Sequence, residues 1–555
     1  MKAKQVFSRV GRAVSGNLAR RLRWGWSALV IGGVVAVAGA PATPPRPNIL
    51  LIVADDLGFS DLGAYGGEIR TPHLDRLARE GLRYTQFYNN AVCVTTRVSL
   101  LTGLYPRQGP NWGGESGLLK RNMATLGDML RTAGYETVLT GKWHLGAEWP
   151  QRPIDRGFGE FYGVLSGGCN YFNPAQPDPP FYGGQSRPFA HNDQAITTFP
   201  EGYYATDAFS EHVVQMIRRS AASAEPFFIN LNYTAPHFPL HALPEDIARY
   251  RGKYAEGYEE LRRRRYARLT SLGLLDPAVT PLSERDPKSG SYRYDYPIAA
   301  WRELEPAVRQ REEARMEVYA AMVDRMDQGI GRVLAALEET GQADRTLVIF
   351  LSDNGGCASL PLPEQVEQYE ADNRGIPVGD GRGYELLGAG WGWAVNAPFR
   401  RFKTWTYEGG VATPMIVRWP GVIAPGTVTD AVGHVIDFMP TFAELAGVGT
   451  SERSRGPLAP WLEGESLVPS MKGPAKPRER PLFWEMYGNR AVRDGRWKLV
   501  WGASERRWQL YDLATDRSET RDLAAVHPER VEALATAWSE WAERTGNVQS
   551  REPGS

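Results

Sequence analysis

The sequence predicts an α/β fold: a large doubly wound, mostly parallel sheet domain with a smaller C-terminal antiparallel sheet plus helix module. Three observations carry this. Asn48 to Ala54 and Thr346 to Ser352 are continuous apolar runs of strand length, the pattern of strands buried on both faces in a parallel sheet. Helical and strand patterns alternate between them, as in βα units. After about Pro481 the pattern changes to short strands around a tight turn, closed by an amphipathic helix.

Residues 1–40 read as a signal peptide. Basic residues run through Arg20, Arg21 and Arg23, an apolar stretch follows from Trp24 to Ala38, and Ala38-Gly39-Ala40 supplies a small-residue cleavage site. The apolar stretch falls short of the ~18 to 20 residues of a membrane span, which favours cleavage and a mature chain starting near Pro41. The expectation is a periplasmic or secreted protein with no membrane attachment after signal cleavage. Arg20-Arg21 leaves both general and twin-arginine export open. Pro41-Ala42-Thr43-Pro44-Pro45 forms a stiff leader. The large α/β domain is then expected over 46–475 and the C-terminal subdomain over 480–545.

In the large domain, Thr71 to Gly81 has helical spacing, with Leu74, Leu77 and Ala78 apolar and Gly81 as a stop. Cys93 stands where a helix begins, followed by Val94 to Leu101, with Gly103 ending it and Pro106 beyond. Pro226 to Tyr233 is a further buried strand, leading into Thr234-Ala235-Pro236-His237. Glu313 to Thr340 places Met316, Tyr319, Val323, Met326, Ile330 and Val333 on one helical stripe, with Gly341 as the cap. In the C-terminal module, Asp494-Gly495 reads as a type I′ turn between Ala491-Val492-Arg493 and a strand from Arg496 to Trp501. Trp508 to Leu513 adds a strand. The helix from Glu529 carries Val531, Leu534, Trp538 and Trp541 on one face.

A chain of 555 residues supports a sizeable core without disulfide staples. Its 64 Lys and Arg balance 64 Asp and Glu, so neither a nucleic-acid footprint nor an acidic tail is indicated. The basic run Arg262 to Arg265 reads as a solvated helix face. Three cysteines, Cys93, Cys169 and Cys357, exclude a disulfide scaffold, and pairing of Cys169 with Cys357 is left open.

Asp55, Asp56, Asp353 and Asn354 offer only oxygen ligands, which favours Ca²⁺ or Mg²⁺ over zinc. Both pairs follow predicted strands directly, the place where open α/β sheets bind their ligands. Lys142 and His144 alternate in Gly141-Lys142-Trp143-His144-Leu145-Gly146, so an extended segment points both to one side. With a divalent cation counted, Arg97, Lys142 and Lys403 outweigh the three aspartates. That field suits an anion, without separating sulfate from phosphate.

Cys93-Val94-Thr95-Thr96-Arg97, reaching Thr102-Gly103 after a short apolar helix, resembles the signature in which sulfatases convert cysteine to formylglycine. Asp55-Asp56, Lys142 and His144, Ala235-Pro236-His237, Asp353-Asn354, and Lys403 before Glu408-Gly409-Gly410 extend the resemblance over about residues 46 to 545. It is closest to bacterial arylsulfatases of the alkaline-phosphatase-like superfamily. The resemblance implies a Ca²⁺ site at Asp55, Asp56, Asp353 and Asn354, completed by position 93. It implies that the hydrated formylglycine at position 93 attacks sulfur while Lys142 and Lys403 hold the sulfate oxygens. His237 would protonate the departing alcohol or phenol, His144 would take the proton that expels sulfate, and Arg97 would orient the nucleophile. The implied substrate is an aryl or carbohydrate sulfate monoester, and the implied maturation partner is a formylglycine-generating enzyme. Thr95 departs from the commonest motif, which has Pro, Ser or Ala there. Two alternatives stand beside this reading: a phosphonate monoester or phosphodiester hydrolase of the same superfamily, and a non-enzymatic sulfated-glycan binder with Cys93 unmodified.

Overall fold

The computed structural model describes residues 46–108, 119, 123–285, 298–449, 462–474 and 476–546. The signal-peptide and leader readings over residues 1–45 lie outside these. The large sheet contains β1 (Asn48–Ala54), β2 (Leu82–Tyr88), β3 (Glu136–Gly141), β4 (Glu160–Val164), β5 (Phe189–His191), β6 (Gln194–Ala195), β7 (Phe227–Asn232), β8 (Thr346–Ser352), β9 (Ala412–Arg418) and β10 (Thr427–His434). Their order is β10-β2-β9-β8-β1-β7-β3-β4-β5-β6. The mostly parallel α/β class is therefore observed, with β1 parallel to both β7 and β8 and β3 parallel to β4 and β7.

Every residue of β1 and β8 is buried, as their unbroken apolar runs require. Alternate β1 side chains serve opposite faces of the sheet. Leu50, Ile52 and Ala54 join a core that includes Phe209 and Val213 of one helix and Met316 to Leu337 of another. Ile49, Leu51 and Val53 join a second core with Val98, Leu101, Leu126, Met129 and Phe442. The helices on the two faces include α1 (Pro72–Glu80), α2 (Cys93–Thr102), α3 (Leu126–Thr132) and α4 (Ala205–Ser220), together with a long helix Pro306–Glu339. That helix starts at Pro306 rather than Glu313, because proline at the first helical position extends it through an exposed charged turn that carries no apolar stripe. Among the described residues no helix is long and apolar enough to cross a membrane.

β9 decides where the site lies. It is antiparallel to both β8 and β2, so β2 runs parallel to β8 and ends at the same edge. The chain enters β9 from that edge, which brings the segment before it, Lys403 to Gly410, to the carboxyl ends of β1, β8, β7 and β3.

The basic run departs from its solvated reading. Helix Tyr258–Ser271 turns Arg262 and Arg265 inward, each about 1% exposed. Arg265 pairs with Asp61 at 2.6 Å and Glu68 at 2.8 Å, and Arg262 donates to the carbonyls of Trp393 and Pro398 at 2.6 and 2.9 Å. Cys93, Cys169 and Cys357 are all buried free thiols.

The second sheet is antiparallel, β11 (Leu482–Met486), β12 (Asn489–Asp494), β13 (Trp497–Gly502) and β14 (Arg507–Asp512) in sequence order. Asp494 pairs with Trp497, so the turn residues are Gly495 and Arg496, not Asp494 and Gly495, and the positive φ of 56° falls on the glycine. The helix Pro528–Arg544 covers this sheet through Leu534, Trp538 and Trp541. Trp484 of β11 donates to the carbonyl of Asn89 at 2.7 Å, beside the start of α2. At the same junction Lys498 of β13 lies 2.9 Å from both Glu408 and Glu519, all three side chains fully buried.

Candidate active site

Most predicted site residues follow a strand or open a helix along the carboxyl edge of the sheet, while Arg97 lies within α2 and Lys403 in the loop before Glu408–Val411. Asp55 and Asp56 follow β1, and Asp56 adopts φ 65°, a conformation uncommon outside glycine and characteristic of functional sites. Asp353 and Asn354 follow β8, with Asp353 N bonded to the carbonyl of Ala54 at 3.1 Å, which locks the two strand ends together. Lys142 and His144 follow β3, held by bonds from Lys142 N to Asn232 O at 2.8 Å and from His144 N to Leu165 O at 3.1 Å. His237 follows β7. Lys403 is anchored from both sides, Lys403 N to Gly356 O at 3.2 Å and Thr404 N to Ala91 O at 2.8 Å.

Cys93 is the first residue of α2, where unpaired backbone N–H groups favour an anion. The turn that presents it is tied by Thr95, whose hydroxyl donates to Val92 O at 2.6 Å and to Asn90 O at 3.0 Å. The residue that departs from the commonest motif therefore has a local structural part. Asn90 completes the turn by donating to Ser99 Oγ at 2.7 Å.

The side chains converge in pairs. Cys93 Sγ lies 3.4 Å from His144 Nδ1. Lys142 Nζ meets Asp55 Oδ2 at 2.6 Å, and Lys403 Nζ meets Asp56 Oδ1 at 2.7 Å. His237 Nε2 is 3.6 Å from Asp56 Oδ2, while its Nδ1 donates to the carbonyl of Phe238 at 2.5 Å. Arg97 Nη2 holds Asp353 Oδ2 at 2.7 Å and its Nη1 donates to Lys142 O at 3.0 Å, so its hydrogen bonds orient a carboxylate and a neighbouring loop.

Three oxygens carry the argument for a cation. Asp55 Oδ1, Asp56 Oδ2 and Asn354 Oδ1 are buried without a hydrogen-bond partner. Buried polar atoms left unpaired are costly, and three such oxygens at the ends of the neighbouring strands β1 and β8 suit a cation. Asn354 is oriented for this, since its amide hydrogens are spent on Asp56 Oδ1 at 2.6 Å and Gly355 O at 2.9 Å, leaving the oxygen free. With Asp353, the donors are all oxygen and fit a hard divalent ion.

The charges bias one another. Burial, then the neighbouring Asp353, pushes the Asp55 carboxyl up to about 8 against the pull of Lys142. In Asp56 burial is outweighed by Lys403 and His237, which hold its carboxyl below the usual carboxylate range. Burial, then Lys142 and Arg97, keeps the His144 imidazole well below its ordinary value, and burial does the same to His237 although Asp56 opposes it. Burial also raises the Cys93 thiol, against Lys142 and Lys403.

Two glycines that sequence reasoning passed over shape the site. A Cβ on Gly167 would lie 2.7 Å from the His144 ring, and one on Gly168 would lie 3.7 Å from His237 Nδ1. Their only sequence signal is the pair Gly167-Gly168 itself. Beyond His237 stands an aromatic wall: its ring lies 4.1 Å from that of Phe238, which lies 5.6 Å from Tyr182 and 6.1 Å from Tyr384.

A family model for sulfatases matches residues 47–448. The chain belongs to the sulfatase family. A second model, N-sulphoglucosamine sulphohydrolase, C-terminal, matches residues 399–537 of this sulfatase. An uncharacterized sulfatase of Schizosaccharomyces pombe is 35% identical over 91% of this chain and 95% of its own. An arylsulfatase of Klebsiella aerogenes is 32% identical over 82% of this chain and 97% of its own. The solved structure of Ps i-CgsB in complex with k-i-k-neocarrahexaose superposes with a TM-score of 0.66 at 26% identity, covering 91% of this chain and 94% of that one. This sulfatase is a sulfuric ester hydrolase, and its reaction is the hydrolysis of sulfate esters.

Proposed function

We propose that this sulfatase cleaves sulfate monoesters with a formylglycine made from Cys93 and a Ca²⁺ ion held by Asp55, Asp56, Asp353 and Asn354, and that aryl sulfates are its preferred class. The observation that carries the reading is Cys93 at the first residue of α2 with its Sγ 3.4 Å from His144 Nδ1, beside three unpaired oxygen donors. When present, the ion supplies positive charge against the sulfate oxygens and the hydrated aldehyde supplies the oxygen that attacks sulfur.

The chain's own residues do the rest. Lys142 and Lys403, each already paired with a metal-binding aspartate, stand to hold sulfate oxygens. His144 Nδ1 faces position 93 and is placed to take a proton there. His237, pinned through Nδ1–H to Phe238 O, directs Nε2 into the site beside Asp56, and its imidazolium form, which the Asp56 carboxylate favours against burial, would deliver the Nε2 proton to the leaving oxygen. Arg97 keeps Asp353 in place. The aromatic wall of Phe238, Tyr182 and Tyr384 beside the proton donor offers ring faces on which a planar leaving group can pack. Maturation by a formylglycine-generating enzyme, signal cleavage and a periplasmic or secreted location belong to the same reading.

Peptide mass analysis of active protein tests it. The expected result is aldehyde at position 93 and loss of turnover with retained fold in Cys93→Ala. Full activity with only unmodified cysteine overturns the nucleophile. A higher kcat/KM for sugar sulfates than for aryl sulfates overturns the substrate class.

A further inference from the structure

A second cluster of potential metal ligands lies where β4 and β5 meet α4. Glu160 opens β4 level with Val138 of β3, short of the strand end that leads to Lys142 and His144. His191 closes β5, whose antiparallel pairing with β4 sets it beside Tyr162. His212 reaches in from α4. One ligand atom from each of Glu160, His191 and His212 lies within 4.8 Å of the others.

Hydrogen bonding leaves this cluster incomplete. His212 Nδ1 lies 2.9 Å from the Thr140 hydroxyl, the kind of outer contact that fixes an imidazole tautomer. Its Nε2 is buried, has no hydrogen-bond partner, and stands 3.8 Å from Glu160 Oε1. In the tautomer with Nδ1–H donating to Thr140, Nε2 presents a lone pair toward a carboxylate, an arrangement that a cation between them relieves. His191 Nε2 lies 2.7 Å from the same Oε1, and the other oxygen, Oε2, is held by Arg219 at 3.1 Å. Arg219 therefore orients the carboxylate without occupying the oxygen that faces the two imidazoles.

The spacing suits a tetrahedral ion. Ligand bonds of about 2.0 to 2.1 Å separate neighbouring ligand atoms by roughly 3.4 Å. The observed 2.7 and 3.8 Å bracket that value, so closure requires the His191 contact to open by about 0.7 Å. Tyr162 stacks on the His212 ring at 5.1 Å and meets the His191 ring edge-on at 6.0 Å, which fixes both planes. The His191 side chain is 49% exposed, which gives an ion a route from solvent and leaves room for a water as fourth ligand.

We propose that Glu160, His191 and His212 form a binding site for a zinc-type divalent cation, distinct from the oxygen-only site at the catalytic edge. Two imidazoles and one carboxylate select zinc-like ions over calcium. The bound ion ties the β4–β5 edge to α4.

The test measures Zn²⁺ bound by the full chain in saturating Ca²⁺, using equilibrium dialysis and elemental analysis, for the parent and His191→Ala. His191 is surface-exposed and outside the catalytic site, so the difference between the two proteins reports this cluster alone. The expected result is one Zn²⁺ per chain whose affinity falls at least about 100-fold in His191→Ala. Tm should rise with Zn²⁺ in the parent only, and sulfatase turnover should be equal in both. His212→Gln provides a second variant, with the same loss expected. Equal Zn²⁺ stoichiometry and affinity in parent and variants, or no Zn²⁺ retained by the parent at about 10 μM, overturns the site.

Discussion

Gly167 packs against the imidazole of His144 so closely that a β-carbon would fall 2.7 Å from both Cε1 and Nε2. His144 itself adopts φ 64°, so the loop from β3 and the glycine loop fix the ring from two directions. Gly167→Ala should therefore displace His144 from position 93 while leaving the core untouched. Misplacing a catalytic group by about 1 Å costs about 100-fold in rate. The expected outcome is a fall in kcat of that order with little change in KM or Tm, read by steady-state kinetics and thermal denaturation.

In the proposed cation site Asp353 would contribute charge, and Arg97 holds it at 2.7 Å. Asp353→Ala should lower bound calcium and activity together, with kcat/KM down by at least about 100-fold. Elemental analysis of dialysed protein checks it. Unchanged calcium content would remove Asp353 from the ligand set.

The two histidines should fail differently. His237→Ala should slow poor leaving groups by about 100- to 10,000-fold while nitrophenyl sulfate suffers far less, because a good leaving group barely needs a proton. His144→Ala should release about one equivalent of nitrophenol in a burst and then stall, with the mass of sulfate retained on the position-93 peptide. Stopped-flow absorbance and peptide mass analysis read both. Equal leaving-group dependence and no retained sulfate would reverse the assigned roles.

His241 gives a pH dependence of stability outside the catalytic groups. It is fully buried; Nδ1 accepts from Tyr171 N at 3.4 Å and Nε2 donates to Gly383 O at 2.8 Å, so an added proton finds no acceptor. Burial pushes its pKa down from 6.5 to about 4. The folded value is depressed, so this contribution to stability is present above pH 6.5 and is lost as pH falls through about 4. The full difference is about 3 kcal/mol. Denaturant unfolding between pH 7 and pH 4 should show a shallower loss in His241→Gln than in the parent.

The parts of the site legible in the sequence were those adjacent in the chain to a self-evident strand. Asp55, Asp56, Asp353, Asn354 and His237 follow continuous apolar runs that have no other reading, and β1, β8 and β7 lie where those runs stand. Lys403 was recognisable only by resemblance, because its placement depends on β9 running antiparallel to its neighbours, which the run Ala412 to Arg418 does not encode locally. Arg262 and Arg265 were misread since four successive arginines hide the three-residue spacing that turns two of them inward. Gly167 is marked locally only by the pair Gly167-Gly168, since its demand comes from a ring that belongs to another loop.

The buried triad of Glu408, Lys498 and Glu519 ties the terminal sheet to the segment that carries Lys403. Glu408 begins the helical turn that leads the Lys403 segment into β9, and its charge is neutralised by a lysine contributed from the far end of the chain. Replacing Lys498 by Met would leave the Glu408 and Glu519 carboxylates buried without this counter-charge, a fault of about 3 to 5 kcal/mol, and a protein ending before β11 would lose the sheet that covers the Glu408 turn altogether. The ribosome must therefore deliver nearly the whole polypeptide before the Lys403 loop can settle, so premature stop codons late in the gene should be as damaging as changes at position 93 itself.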